Sequence, residues 1–243
     1  MFELLIQAFN LILYQPLLNV LVLLYQYLPG HDFGIAVIVL TILIRLVLYP
    51  LTLKGVKSQK ALQEIQPKIK EIQRVHKEDR AKQSKALMEL YQKSKINPFS
   101  GCLPLLIQLP ILIAVFRIFR ERIGPEQMQY LYSFVSNPGE INPSFLGLID
   151  LSKPFFLLAL LCGISQYFQT KMLTPTEQKT AQGKKGTPDF SQMMQKQMLY
   201  FFPILTVFIL LKLPSALGLY WFLSTLFAIF QQYLITKKTK KHA

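Results

Sequence analysis

The chain has 243 residues, of which 51% are hydrophobic and 16% charged, where a soluble domain ordinarily carries about 25% charge. Its mean hydropathy is positive, +0.32, and the apolar residues come in blocks, so the composition excludes a soluble enzyme and describes an all-α polytopic membrane protein. The net charge of +14 suggests a nucleic-acid binder only until it is mapped along the chain.

Twelve of the 27 Lys and Arg lie between Lys54 and Lys95, five between Lys171 and Lys196, and four are Lys237, Lys238, Lys240 and Lys241. The basic excess falls in alternate loops, as the positive-inside rule requires, and places those three segments and the C-terminus in the cytoplasm. Arg117, Arg120 and Arg122 run against the rule, softened by Glu121 and Glu126.

Residues 1–32 form an N-terminal segment with polar residues at 3, 7, 10, 15, 19 and 26, close to one face of a helix, with Pro16 between the two sets. The pattern predicts an amphipathic stretch lying in the outer interface, with a sixth membrane span as the alternative. Residues 1–28 hold no Lys or Arg, so they lack the n-region of a signal peptide. Five spans follow, at 33–53, 98–119, 154–171, 198–213 and 215–236. The third and fourth are short for a hydrocarbon core of about 30 Å, and Pro214 makes the last two a tight hairpin; local thinning of the bilayer accommodates such spans. Loop 120–153 is extracytoplasmic, loop 172–197 cytoplasmic, and 237–243 is a basic cytoplasmic tail. No internal repeat of 20–50 residues is visible, which counts against an inverted-repeat transporter.

Between the first two spans, 54–97 reads as a basic cytoplasmic helical hairpin. Leu62, Ile65, Ile69 and Ile72 step by three and four, His76 to Asp79 reads as a turn, and Leu87, Leu90 and Tyr91 mark the apolar side of a second helix. A solvated linker that obeys the positive-inside rule is one reading. A contact surface for ribosomal RNA, anionic lipid or a targeting partner is the other, and the apolar stripe favours it, because a linker needs none.

One residue stands out inside a span. Arg45 interrupts the run Phe33 to Leu53, and an arginine at mid-span costs roughly 2.5–3.5 kcal/mol on insertion scales. It either faces a watery cavity or a partner, or snorkels toward the Leu53 end, about 12 Å away at 1.5 Å per residue. Cys102 and Cys162 each fall in an apolar stretch without a CxxC partner or nearby histidine, which points to packing rather than metal or redox chemistry. The spans contain no GxSxG, no HExxH and none of the 13 acids, which argues against an intramembrane enzyme or proton relay. No GxxxxGK[ST] is present, so no nucleotide cofactor is expected. A small anion channel or carrier built around Arg45, or an assembly scaffold, are the other classes compatible with the composition.

Three blocks sharpen the choice. They are LTILIRLVLYPLTLK with the hairpin's LQEIQPKIKEIQ and LMELYQKSKINP, then NPFSGCLPLLIQLPILIAVFR from Asn97 to Arg117, then YFFPILTVFILLKLPSALGLYWFLSTLFAIFQQYLI from Tyr200 to Ile235. Together, over residues 29–236, they resemble the YidC / Oxa / Alb family of membrane-protein insertases. The resemblance implies a five-helix core around a polar groove, open to the cytoplasm and sideways to lipid, that inserts newly made membrane proteins into the bacterial cytoplasmic membrane and releases them laterally. It makes Arg45 the groove arginine, and Gln108, Gln169 and Trp221 match groove-facing positions. Tyr220 and Gln231 are candidate wall residues outside that set. Nascent membrane-protein clients are the implied partners, with the ribosome, a Sec translocon and anionic lipids as further ones. The chain departs from some members: it shows no large extracytoplasmic domain near the N-terminus, no lipoprotein-type cysteine there, and no long extended tail.

Overall fold

The computed structural model describes residues 2–97, 103–120, 125–173 and 197–240. Cys102, Arg122, the Gly-Cys-Leu-Pro element's first residues and most of loop 172–197 lie outside them. The described chain is helical apart from turns and one two-stranded hairpin.

Helices α1 (Phe2–Phe9) and α2 (Gln15–Tyr27) are joined through a π-turn at Asn10–Tyr14 into one helical run. That run is long and apolar enough over Glu3–Tyr27 to cross a membrane by length and composition. Gly30, at φ 81°, turns the chain back, a conformation that glycine adopts without steric penalty. Helix α3 (Phe33–Glu64) starts at Asp32, whose carboxylate accepts from Ile35 N at 2.8 Å as an N-cap. It runs 11 residues past the predicted span end at Leu53 and enters the basic segment without a break.

The helix stops at Ile65 because Pro67 follows; proline cannot continue a preceding helix but suits the first turn of a new one. The apolar stripe read as one helix is therefore split, with Leu62 at the end of α3 and Ile69 and Ile72 on α4 (Gln66–Val75). Helix α5 (Arg80–Lys93) folds back on α4 after the His76–Asp79 turn, and Gln83 Nε2 donates to Gln73 O at 3.1 Å across the pair. Ile69 is buried, and Leu87, Leu90 and Tyr91 are half-buried, as the stripe predicted.

Helix α6 (Leu103–Arg120) runs back toward the start of α3, where Phe119 meets Phe33 edge-on at 5.8 Å between ring centroids. A short α7 (Pro125–Met128) precedes the hairpin of β1 (Ser144–Phe145) and β2 (Ile149–Asp150), paired antiparallel with Phe145 opposite Ile149. Helix α8 (Phe156–Leu173), a π-turn at Gln197–Phe201, α9 (Phe202–Leu210) and α10 (Ser215–Lys240) complete the bundle. α10 packs against α3, α6, α8 and α9. Its first N–H groups are occupied, Ser215 N donating to Lys153 O and Ala216 N to Leu151 O, both at 3.0 Å. Thus α3, α8 and α10 begin, and α6 and α9 end, at one end of the bundle, the end that carries β1 and β2.

The polar side chains of the N-terminal run engage that same end. Arg117, near the end of α6, donates to Asn10 Oδ1 at 2.7 Å and sits 4.7 Å from the centre of the Tyr14 ring. Asn19 donates to Tyr130 O and accepts from Tyr132 N, Gln26 donates to Ser136 O, and the Tyr25 hydroxyl accepts from Asn142 N.

Two glycines permit close contacts. A Cβ on Gly34 would lie 2.2 Å from the Phe145 ring, and one on Gly163 would lie 2.5 Å from Val207 Cγ2 and 3.2 Å from the Pro203 carbonyl oxygen. Gly163→Leu is expected to force α8 from α9 and lower stability by about 1–3 kcal/mol, the range of overpacked cores, read as an earlier thermal transition in detergent; an unchanged transition would contradict the close packing.

Hydrogen bonds from the Lys82 backbone and side chain hold the Asp79 carboxyl below its usual range at the start of α5. Its folded pKa lies below the unfolded one, so its contribution is present above the ordinary value of about 3.9 and lost as pH falls through the folded value. The chemical shifts of Arg80–Gln83 should leave helical values as pH drops below about 4; helical shifts persisting at much lower pH would contradict the cap.

Candidate functional site

Three helices meet at Arg45. It lies 12 residues into α3, about 18 Å from the helix start at 1.5 Å per residue, so close to the middle of a 30 Å slab. The opposite faces of α3 differ: Thr41 and Ile44 are buried while Leu46 and Val47 are exposed apolar residues, and Arg45 sits half-buried between them. Its Nη2 donates to Gln108 Oε1 of α6 at 2.9 Å. Gln108 Nε2 in turn donates to the Tyr220 hydroxyl of α10 at 2.7 Å. Tyr220 is 1% exposed. The result is a directional chain, cation to amide to phenol, in which each donor polarises the next.

The chain leaves the guanidinium under-served. Among the described residues no carboxylate pairs with it, and Nε is buried without a partner. Guanidinium carries five N–H donors; here one serves Gln108 and the one on Nε is enclosed, and the charge has no carboxylate counterpart among the described residues. That combination is the chemistry of a site for a carboxylate or another anionic group.

A second polar tie joins α3 to α10 two turns along. Gln231 Nε2 donates to Thr52 Oγ1 at 3.0 Å and to Tyr49 O at 3.3 Å, and the Gln231 and Thr52 side chains are buried. Tyr49 packs edge-on against Phe227 at 6.5 Å. On α10, Tyr220, Phe227 and Gln231 stand seven and four residues apart and share the face toward α3. The tie sits beside Pro50, which removes one backbone donor from α3; polar side chains from neighbouring helices commonly satisfy the backbone around such a proline in a membrane.

Of the four residues singled out from sequence, Arg45 and Gln108 are in direct contact. Gln169 is half-buried near the end of α8, and Trp221 is half-buried on α10, about 100° around the helix from Tyr220; among the described residues neither has a hydrogen bond to the Arg45 chain. Tyr220 and Gln231, candidates outside that set, supply the two buried ties. Thr52 was missed. Its signal was its place seven residues after Arg45, two turns along the same face. Cys162 donates to Gly218 O at 3.1 Å where α8 meets α10, and it is buried with no metal-binding group around it among the described residues.

Tyr220→Phe removes the acceptor of Gln108 Nε2 and leaves a half-buried donor unpaired, which costs about 1 kcal/mol. Its thermal transition in detergent is expected to fall accordingly. A transition equal to that of the parent chain would show that water replaces the phenol.

Residues 23–242 match the family described as 60Kd inner membrane protein. A membrane protein insertase YidC from Fusobacterium nucleatum is 38% identical over 207 residues, spanning 85% of this chain and 87% of the relative. Proteins of the same name from Magnetococcus marinus and Wolinella succinogenes are each 36% identical, over 86% and 94% of this chain but 33% and 38% of their own length, so the chain spans about a third of those longer relatives. With its apolar helices and its basic hairpin between α3 and α6, the chain belongs to the 60Kd inner membrane protein family, whose relatives here carry the name membrane protein insertase YidC.

Proposed function

We propose that the chain is a membrane-protein insertase in which Arg45 lies on the wall of a water-filled groove among five spans, α3, α6, α8, the Gln197–Leu210 run and α10. The observation that carries this reading is the Arg45 guanidinium, held by one amide with no carboxylate partner among the described residues, in a chain 38% identical to a YidC insertase. The groove opens toward the basic hairpin, which the positive-inside rule places in the cytoplasm together with the C-terminus. Gln108, Gln169 and Trp221 line it, with Tyr220 behind Gln108. The N-terminal run lies across the outer interface rather than crossing, since its polar partners come from the β-hairpin end.

The physical problem is the passage of an acidic segment through a low-dielectric slab, which costs several kcal/mol per carboxylate even after relaxation. A hydrated groove shortens the dry path. Arg45 then attracts the carboxylates of the incoming segment, an interaction stronger at low dielectric than in bulk, while the absence of a cage of donors keeps the pairing transient. The client's apolar span moves sideways into lipid, downhill by its own hydrophobicity. The membrane potential adds about 2.3 kcal/mol per negative charge per 100 mV toward the outside. The amphipathic hairpin α4–α5 serves as the contact for ribosomal RNA, anionic lipid or a targeting partner.

The test uses the purified full chain in liposomes without other proteins and scores protease protection of a single-span client's tail. Acidic tails are expected to be protected only when the chain is present. Arg45→Ala should reduce acidic-tail protection roughly tenfold, about the worth of one charge interaction of 1.4 kcal/mol, and leave neutral tails nearly unaffected; Arg45→Lys should restore part of it. Equal insertion of both tails by Arg45→Ala would overturn the electrostatic role.

A further inference from the structure

Away from Arg45, the β-hairpin end of the bundle holds a partly open cavity of about 270 Å³. Its walls include Phe33, Phe119, Leu151 and Ala216, all buried, and its rim carries Arg120 and Lys153. Three helix termini frame it: the first residue of α3, the last of α6 and the second of α10. The cavity therefore sits where the apolar helices end, which in a membrane-spanning bundle is the level of lipid headgroups.

Its chemistry is that of an amphiphile site. The floor is aromatic and aliphatic, and the rim is cationic. Arg120 is exposed and has no carboxylate partner among the described residues; its guanidinium lies 5.8 Å from the Phe116 ring centre, on a face anions avoid. Lys153 is paired with Asp150 Oδ2 at 3.1 Å, while the Ser152 N–H and hydroxyl serve Asp150 Oδ1; both partners of this pair are exposed, so Lys153 can turn toward a second anion while water takes its place on Oδ2. The opening N–H groups of α10 already serve Lys153 O and Leu151 O, and Asp32 caps α3, so side chains rather than helix ends would hold the ligand. Arginines at this end contradict the positive-inside rule. Arg117 is accounted for by Asn10 and Tyr14; Arg120 has no comparable polar partner among the described residues.

We propose that this cavity binds one anionic phospholipid, its phosphate between Arg120 and Lys153 and the upper part of an acyl chain against Phe33 and Phe119. The bound lipid would close the seam between α3, α6 and α10 at their common end. The proposal requires the bundle to span a membrane but is independent of the insertase reading.

The experiment is native mass spectrometry of the full chain purified in detergent and titrated with phosphatidylglycerol or phosphatidylcholine. One phosphatidylglycerol should remain bound preferentially. Arg120→Gln should reduce its retention about fivefold, the scale of one basic residue at an anionic surface, and Ala216→Phe should abolish it by filling the floor with both charges intact. Lys212→Gln removes the same charge from an exposed residue at the same end that does not line the cavity, and should leave retention unchanged. Circular dichroism melts check that each variant is folded. Equal retention in Arg120→Gln and the parent would overturn the proposal, as would an equal loss in Lys212→Gln. Displacement of the lipid by millimolar inorganic phosphate would mark a free-anion site instead. Loss of acidic-tail translocation in Arg120→Gln without loss of lipid would reassign the cavity to the client peptide.

Discussion

An arginine halfway down an apolar helix must be compensated, and the bundle is arranged around that requirement. The insertion penalty is roughly 2.5–3.5 kcal/mol, whereas a hydrogen bond to a charged group returns about 1.5–3 kcal/mol. The single bond from Arg45 to Gln108 therefore roughly offsets the penalty for placing the charge, yet it leaves Nε unpaired and the charge unneutralised among the described residues. In the proposed account, water in the groove supplies the remainder when no client is present, and a client carboxylate supplies it during insertion. On the proposed reading, a carboxylate built into the protein would stabilise the bundle better but remove the attraction for a client.

Holding that charge in place falls to α10. It touches α3, α6, α8 and α9; its buried Tyr220 ties it to α6 through Gln108, and its buried Gln231 ties it to α3 through Tyr49 O and Thr52. Both ties use neutral side chains, so neither competes with Arg45 for an anion. The Gln231 contacts to Tyr49 and Thr52 flank Pro50, where α3 lacks one backbone donor. At the other end, Leu151 and Lys153 anchor the start of α10 through main-chain hydrogen bonds. The helix is thus fixed at its origin and along one face, while its remaining surface and much of α8 and α9 expose large apolar side chains suited to lipid.

Much of the helical layout was legible in the sequence, because hydrophobic blocks and proline positions act locally. The apolar runs read from 33, 154 and 215 begin within two residues of α3, α8 and α10, and the helix pair α4–α5 follows the stripe and turn read over Leu62–Tyr91. What escaped depends on contacts between distant segments or on competing local signals. Pro67 divides a stripe whose periodicity runs straight through it. The basic residues after Leu53 suggested an end to α3, yet nothing in Lys54–Glu64 breaks a helix, and it continues. Gln108 was marked by its motif, but that its amide would pass from Arg45 to Tyr220 is a fact of three-helix packing. Thr52 and Gln231 stand 179 residues apart, and periodicity within either helix cannot pair them.

The central claim is that position 45 is wet and reached from the side of the basic hairpin. The direct measurement is thiol accessibility: Arg45→Cys in a chain whose Cys102 and Cys162 are replaced by alanine, reconstituted in sealed vesicles and exposed to a membrane-impermeant maleimide from either side. Val47→Cys, whose side chain points outward among exposed apolar residues, reports the lipid-facing background. The account predicts labelling at 45 from the hairpin side alone and little at 47. Protection at 45 from both sides, with the parent arginine chain still stable, would mean a snorkelling residue in a dry bundle and would contradict the groove.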